Sequence, residues 1–182
     1  MKYPILLDKK ILAETRVFTI EETHMRFSNG HEQKFERIAG RHPGAVMIIP
    51  MLDEETFLLI REYAPAADSY FVGFPKGAMD AGEDPLISAN RELMEETGYG
   101  AHELIHLAKW SLSPAYFPAM MDIVLAKKLY PQKLEGDEPE PIEVVPWKIN
   151  NIPELFSHPE FHESRSVAAV LLLERNVYEK TR

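Results

Sequence analysis

The chain predicts a layered α/β fold, and three observations predict it. Two short apolar runs of strand length, Ala45 to Pro50 and Thr56 to Tyr63, precede a sharply punctuated helical segment at residues 85 to 97. More strand-like runs follow, and an amphipathic stretch closes the chain. With 182 residues, 45% of them hydrophobic and 27% charged, the chain can bury a substantial core and makes about one domain. Helices interleaved with strands bury their apolar faces against one another in layers.

Taken in order, residues 15 to 27 alternate loosely between apolar and polar, Ser28-Asn29-Gly30 supplies a tight turn, and His31 to Ile38 resumes the alternation. That is the signal of an antiparallel β-hairpin. Ala39-Gly40-Arg41-His42-Pro43-Gly44 reads as a connector, so residues 1–42 are expected to form a separable N-terminal hairpin region and 43–182 the main domain. The runs at Ala45 to Pro50 and Thr56 to Tyr63, with Asp53-Glu54-Glu55 between them, predict two buried strands. Asp84 is a helix N-cap with Pro85 at the first helical position, and Gly98 stands just past the helix end. Leu104 to Leu112, Met121 to Ala126 and Val144 to Trp147 predict further strands. The tail from Glu160 to Glu179 predicts a helix, with Val167, Val170, Leu171, Leu173 and Val177 available for packing.

Composition limits the function classes. A formal net charge of −9 argues against nonspecific binding to nucleic acid or anionic membrane, both of which call for a basic face. The absence of cysteine excludes disulfides, thiolate zinc sites and cysteine nucleophiles. MKYPILLDKK offers no apolar stretch of signal-peptide length, and nowhere do 18 apolar residues run together, so a soluble cytoplasmic protein is expected.

The most informative stretch is residues 77 to 99, GAMDAGEDPLISANRELMEETGY. At about 100° per residue, Glu92, Glu95 and Glu96 fall within roughly a 100° arc, beside Ser88 and Arg91. Leu86, Ala89, Leu93 and Thr97 form a separate stripe that can face a core. Like charges at this spacing cost roughly 0.2–0.5 kcal/mol per pair. A hard divalent cation would offset that cost, because Mg²⁺ and Mn²⁺ take oxygen ligands and bridge carboxylates to phosphates. For the three glutamates alone, a solvated acidic helix face is the alternative.

The full pattern, from Gly77 through Glu83 to Arg91-Glu92-Leu93-Met94-Glu95-Glu96-Thr97-Gly98, resembles the signature of the Nudix hydrolases, which cleave a nucleoside diphosphate linked to another moiety. Tyr99 departs from it where an aliphatic residue is usual, which bears on packing rather than chemistry. The resemblance implies an α/β/α sandwich with a mixed sheet, here preceded by the N-terminal antiparallel hairpin. It places Mg²⁺ or Mn²⁺ on Glu92, Glu95 and Glu96, with the backbone carbonyl of Lys76 as a further ligand. It makes Glu83 and Arg91 an ion pair that orients the ligand helix. The metals would neutralise the diphosphate and lower the pKa of an attacking water, whose proton then needs a base. Glu95 is one candidate. In the ADP-ribose branch the base tends to be a glutamate on a later loop, which here is Leu134-Glu135-Gly136-Asp137-Glu138-Pro139-Glu140-Pro141, with Glu138 first and Glu140 second. On composition alone that run reads as an ordinary solvated loop.

LEGDEPEP, the early Asn-Gly hairpin and the Ser113-Pro114-Ala115-Tyr116-Phe117 segment resemble most the bacterial ADP-compounds hydrolases. Such enzymes are associated with ADP-ribose, NADH and diadenosine polyphosphates and release AMP or ADP; ADP-sugars are a further candidate substrate here. Pro114, fifteen residues past Tyr99, matches the ADP-ribose branch, while Tyr116 lies near a tyrosine of some dinucleoside polyphosphate hydrolases. Arg61-Glu62-Tyr63-Ala64 departs from the branch, since Ala64 stands where a substrate-binding arginine is expected, leaving Arg61 to serve instead. For the adenine ring the candidates are Tyr116 first, then Tyr63, Tyr70, Phe74 and Phe117. Relatives of this branch often pair through the N-terminal hairpin, so a homodimer is expected. The alternatives are a nucleotide-sensing module of the same fold, a prenyl diphosphate isomerase, which would want a cysteine, and an RNA-cap hydrolase, which would want a basic path.

Overall fold

The protein is described from a computed structural model covering residues 2–39, 43–136 and 139–180, with side chains as far as residue 176. Its strands are β1 (Ile5–Glu14), β2 (Thr19–Arg26), β3 (Glu32–Ile38), β4 (Ala45–Pro50), β5 (Thr56–Ala64), β6 (Ser69–Gly73), β7 (Lys76–Ala78), β8 (Tyr99–Ser113), β9 (Phe117–Pro131) and β10 (Glu143–Lys148). The helices are α1 (Pro85–Thr97), the single turn α2 (Ile152–Leu155) and α3 (Ser164–Lys180). Two compact units result, residues 1–42 with 111–120, and residues 43–110 with 121–182.

In the first unit β1, β2 and β3 form an antiparallel sheet in that order. The expected hairpin is β2–β3, paired from Ile20↔Ile38 to Arg26↔Glu32. β1 was not expected, because ILLDKKILAE lacks strict alternation, and in the fold all ten of its residues are exposed. The turn between β8 and β9 belongs to this unit, and its Tyr116 carbonyl accepts the Ile38 N–H at 2.8 Å.

The second unit holds two sheets, ordered β7-β4-β9-β8 and β10-β5-β6. β4 is parallel to β9, from Ala45↔Met121 to Pro50↔Ala126, and antiparallel to β7, which makes the first sheet mixed. Both faces of β4 are covered, as an unbroken apolar strand requires. Val46 and Ile48 pack with Ala89 and Leu93 of α1 and with Val124 and Ala126 of β9, all fully buried. β5 is the central strand of the other sheet, and its Phe57 to Ile60 are buried. β8 and β9 run well past the apolar runs that mark them in the sequence, because most of their outer residues are only partly buried and carry no continuous apolar pattern.

α3 starts at Ser164 rather than Glu160, since Glu163 accepts the backbone N–H of Ser166 at 2.9 Å and caps the helix there. Ser166, fully enclosed, accepts the Phe74 N–H at 3.1 Å and ties α3 to the end of β6. Among the described residues no helix is long and apolar enough to cross a membrane.

Candidate functional site

The site is built by α1 and the short strand β7 beneath it. Asp84 caps α1 by accepting the Leu86 N–H at 2.8 Å, and Pro85 opens the first turn. Gly98 ends it in the left-handed region at φ 77°, its N–H bonded to the Met94 carbonyl. With both ends fixed, Ala89 and Leu93 sit against the mixed sheet and set the rotation of the helix. That rotation turns Glu92 and Glu96 inward rather than toward solvent, leaving them 8% and 4% exposed. The solvated-face alternative is therefore excluded for this pair, while Glu95 is half-buried at the rim.

Gly77 has a steric reason to be glycine. A Cβ there would overlap the Glu92 carboxylate, so only a bare backbone can approach so closely. Next to it the backbone N–H of Lys76 donates to Glu96 Oε2 at 2.8 Å. The Lys76 ammonium contacts Glu62 of β5.

Arg91 organises the outer side. Its Nη1 donates to Glu92 at 2.7 Å and to Glu95 at 3.2 Å, and its Nη2 donates to Glu83, Ser88 and the Ala78 carbonyl at 3.1–3.2 Å. Glu83 also accepts the Asp80 N–H at 3.0 Å, and the Arg91 guanidinium together with that N–H holds its carboxyl below the usual range. Glu96 behaves in the opposite way. Burial pushes its carboxyl up to about 8, Glu62 and Glu92 add to the rise, and Lys76 offsets only part of it.

Among the described residues no group of three or more His, Cys, Asp or Glu side chains is set out as a metal site. The donor chemistry nonetheless fits a hard divalent cation. The donors are carboxylate oxygens, and the desolvated Glu96 keeps its proton because too little positive charge faces it. The backbone carbonyl of Lys76 belongs to β7, next to Gly77, and Glu92, Glu95 and Glu96 of α1 are the side chains that would hold the ion.

The remaining candidates are distributed as follows. Arg61 makes two parallel hydrogen bonds of 2.7 Å to Glu160, and its guanidinium lies 4.1 Å from the Tyr70 ring centre. Tyr63 packs edge-on against Tyr70 and its hydroxyl contacts Asp68. Glu140 accepts the Tyr70 hydroxyl at 2.8 Å. Glu138 lies outside the described residues. Pro114 and Tyr116, both exposed, belong to the first unit, whereas the carboxylates belong to the second. Phe74 is fully buried, which removes it as an adenine partner.

Glu62, the Lys76 side chain and Glu160 were not legible beforehand. Glu160 meets Arg61 across 99 positions, and no local spacing signals such a contact.

Comparison with known proteins agrees with this geometry. Residues 41–172 match the NUDIX domain, and residues 4–37 match the NudE-type Nudix hydrolase N-terminal domain. The chain is 44% identical over 173 residues to the ADP compounds hydrolase NudE of Escherichia coli (strain K12), covering 95% of this chain and 92% of that one. It is 28% identical to the ADP-ribose pyrophosphatase of Bacillus subtilis (strain 168), over 92% and 94% of the two chains. A crystal structure of an ADP compounds hydrolase superposes with a TM-score of 0.94 at 42% identity, covering 99% of this chain and 97% of that one.

Proposed function

The chain belongs to the Nudix hydrolases, a family of enzymes that generally use divalent metals, and from that premise we propose that it hydrolyses the diphosphate linkage of ADP-containing nucleotides with Mg²⁺ or Mn²⁺, releasing AMP or ADP. ADP-ribose, NADH, diadenosine polyphosphates and ADP-sugars are the substrates proposed. The observation that carries the reading is the inward-turned pair Glu92 and Glu96 beside the bare backbone of Gly77, Glu92 held by Arg91 and Glu96 short of compensating charge.

Glu92 and Glu96, with Glu95 and the Lys76 carbonyl, would hold the cation. When bound, it neutralises diphosphate charge and lowers the pKa of a coordinated water. The chain supplies the rest. Arg91, fixed by Glu83, holds Glu92 and Glu95 in place. A carboxylate of the 135–140 loop, Glu138 before Glu140, takes the proton of the attacking water, with Glu95 as the alternative base. Tyr63 is assigned to the nucleoside, and Arg61 to substrate contact once it leaves Glu160. Water adds to phosphorus as the bridging P–O bond breaks, so both products leave as phosphate monoesters or diphosphates.

Association into a homodimer is part of the proposal. Ile5, Leu6, Ile11 and Leu12 of the edge strand β1 are 42–62% exposed, an apolar surface that a second copy would cover. Light scattering after size exclusion should give twice the chain mass, and a monomer mass would remove this part.

Incubation with Mg²⁺ and, separately, ADP-ribose, NADH, diadenosine triphosphate and ADP-glucose should release AMP or ADP, resolved by chromatography, with no release from Glu96→Gln. Binding without release by the wild-type protein would replace hydrolysis with nucleotide sensing.

A further inference from the structure

We infer that the Lys76 ammonium binds a non-bridging phosphate oxygen of the substrate and that Glu62 positions it for that contact. The inference deepens the proposed diphosphate hydrolysis and rests on it.

A diphosphate approaching a cluster of carboxylates on a chain of net charge −9 needs local positive charge. Most of the cations bordering α1 and β5 are committed elsewhere. Arg91 spends its donors on Glu83, Glu92, Glu95, Ser88 and the Ala78 carbonyl. Arg61 is paired bidentately with Glu160 and covers the Tyr70 ring. Lys133 donates to the Glu95 backbone carbonyl, where it complements the C-terminal end of α1.

Lys76 differs from the two arginines in having donors to spare, and from Lys133, which is exposed, in being largely enclosed. An ammonium carries three donors, and among the described residues its one hydrogen-bond partner is Glu62. Its backbone N–H is anchored on Glu96 at 2.8 Å, which fixes the root of the side chain at the carboxylate cluster. The side chain is only 17% exposed, so its stem is already ordered and little entropy is lost when a ligand arrives. Glu62, 32% exposed, holds the ammonium from the β5 side and leaves its other donors for a ligand. Lys76 would thus act twice, through its carbonyl toward the metal and through its ammonium toward phosphate. A compact point charge gains from each further phosphate within reach. It should therefore matter more for a triphosphate bridge than for a diphosphate.

The test compares wild type, Lys76→Met, Lys76→Arg and Glu62→Gln, none of which alters the backbone carbonyl. At saturating Mg²⁺, Lys76→Met should raise KM for ADP-ribose about tenfold, equivalent to about 1.4 kcal/mol, with kcat within about threefold and the Mg²⁺ dependence unmoved. Its loss in kcat/KM should be larger for diadenosine triphosphate. Lys76→Arg should return KM to within about threefold of wild type, and Glu62→Gln should fall between. An unchanged KM in Lys76→Met, or equal kcat losses in Lys76→Met and Lys76→Arg with KM unmoved, would overturn the inference. Calorimetric binding of ADP with Mg²⁺ separates this from the activity itself. If the wild type turns over none of the substrates, hydrolysis fails, while the Lys76 assignment stands on about tenfold weaker ADP binding in Lys76→Met. It falls if both proteins bind ADP equally or if the wild type does not bind.

Discussion

Glu21 in the three-stranded sheet and Glu96 in the mixed-sheet unit are the same residue type and both nearly closed to solvent, 1% and 4% exposed, but Glu96 lies deeper among protein atoms, and their carboxyls move in opposite directions. Burial raises both. At Glu21 that rise is outweighed by Lys9 and Arg37, whose nitrogens lie 2.5 and 2.7 Å away, and the carboxyl ends below its usual 4.5. At Glu96 the compensation is one backbone N–H and a lysine shared with Glu62, and the carboxyl ends near 8. A charge that serves the fold has its counter-charge in the chain. A charge proposed to serve a cation, as at Glu96, is left short of one.

Glu96→Gln breaks the comparison at its functional end. Turnover should fall about 10³-fold, the loss of roughly 4 kcal/mol of transition-state stabilisation, while thermal stability without metal is unchanged or higher. Wild-type turnover in that variant would remove Glu96 from the metal site. Glu21→Ala attacks the structural end. It strands Lys9 and Arg37, which are 47% and 45% exposed and therefore partly screened. Denaturant unfolding should show a loss of about 1–3 kcal/mol, with Mg²⁺ affinity unmoved.

The two carboxyls also carry opposite pH signatures. Folded Glu96 keeps its proton up to about pH 8, whereas the unfolded group releases it near 4.5. The folded state therefore binds more protons between those values, and this contribution to metal-free stability declines as pH rises from 4.5 to about 8. For Glu21 the unfolded state binds more protons, so its contribution is present above the usual 4.5 and is lost as pH falls through the lowered folded value. Thermal melts across pH should show the first slope in wild type and not in Glu96→Gln, and the second should disappear in Glu21→Ala. The smallest effect belongs to the helix cap that both-end fixing of α1 requires. Asp84→Ala should cost about 1 kcal/mol in denaturant unfolding and leave the Mg²⁺ dependence of turnover intact.

Local signals made much of this legible in the sequence. Asp84, Pro85 and Gly98 mark the ends of α1 because capping is a short-range property of the chain. The runs of β4 and β5 are apolar throughout because both strands are buried, and the β2–β3 turn is written in Asn29-Gly30. β1 escaped because an exposed strand has no burial pattern to display. At the site, the spacing of Glu92, Glu95 and Glu96 was visible, but their unequal burial was not. It depends on how Ala89 and Leu93 seat the helix and on the bare backbone at Gly77. Glu62 and the Lys76 ammonium meet only after β5 and β7 have been placed in three dimensions, so no motif announces them.

The most direct measurement is Mg²⁺ binding by titration calorimetry near pH 7 in two buffers of different ionisation enthalpy, on wild type and Glu96→Gln. If Glu96 gives up its proton to the cation, about one proton is released per wild-type chain and close to none from the variant. Equal proton release from both proteins, or Mg²⁺ binding with no release from the wild type, would contradict the account.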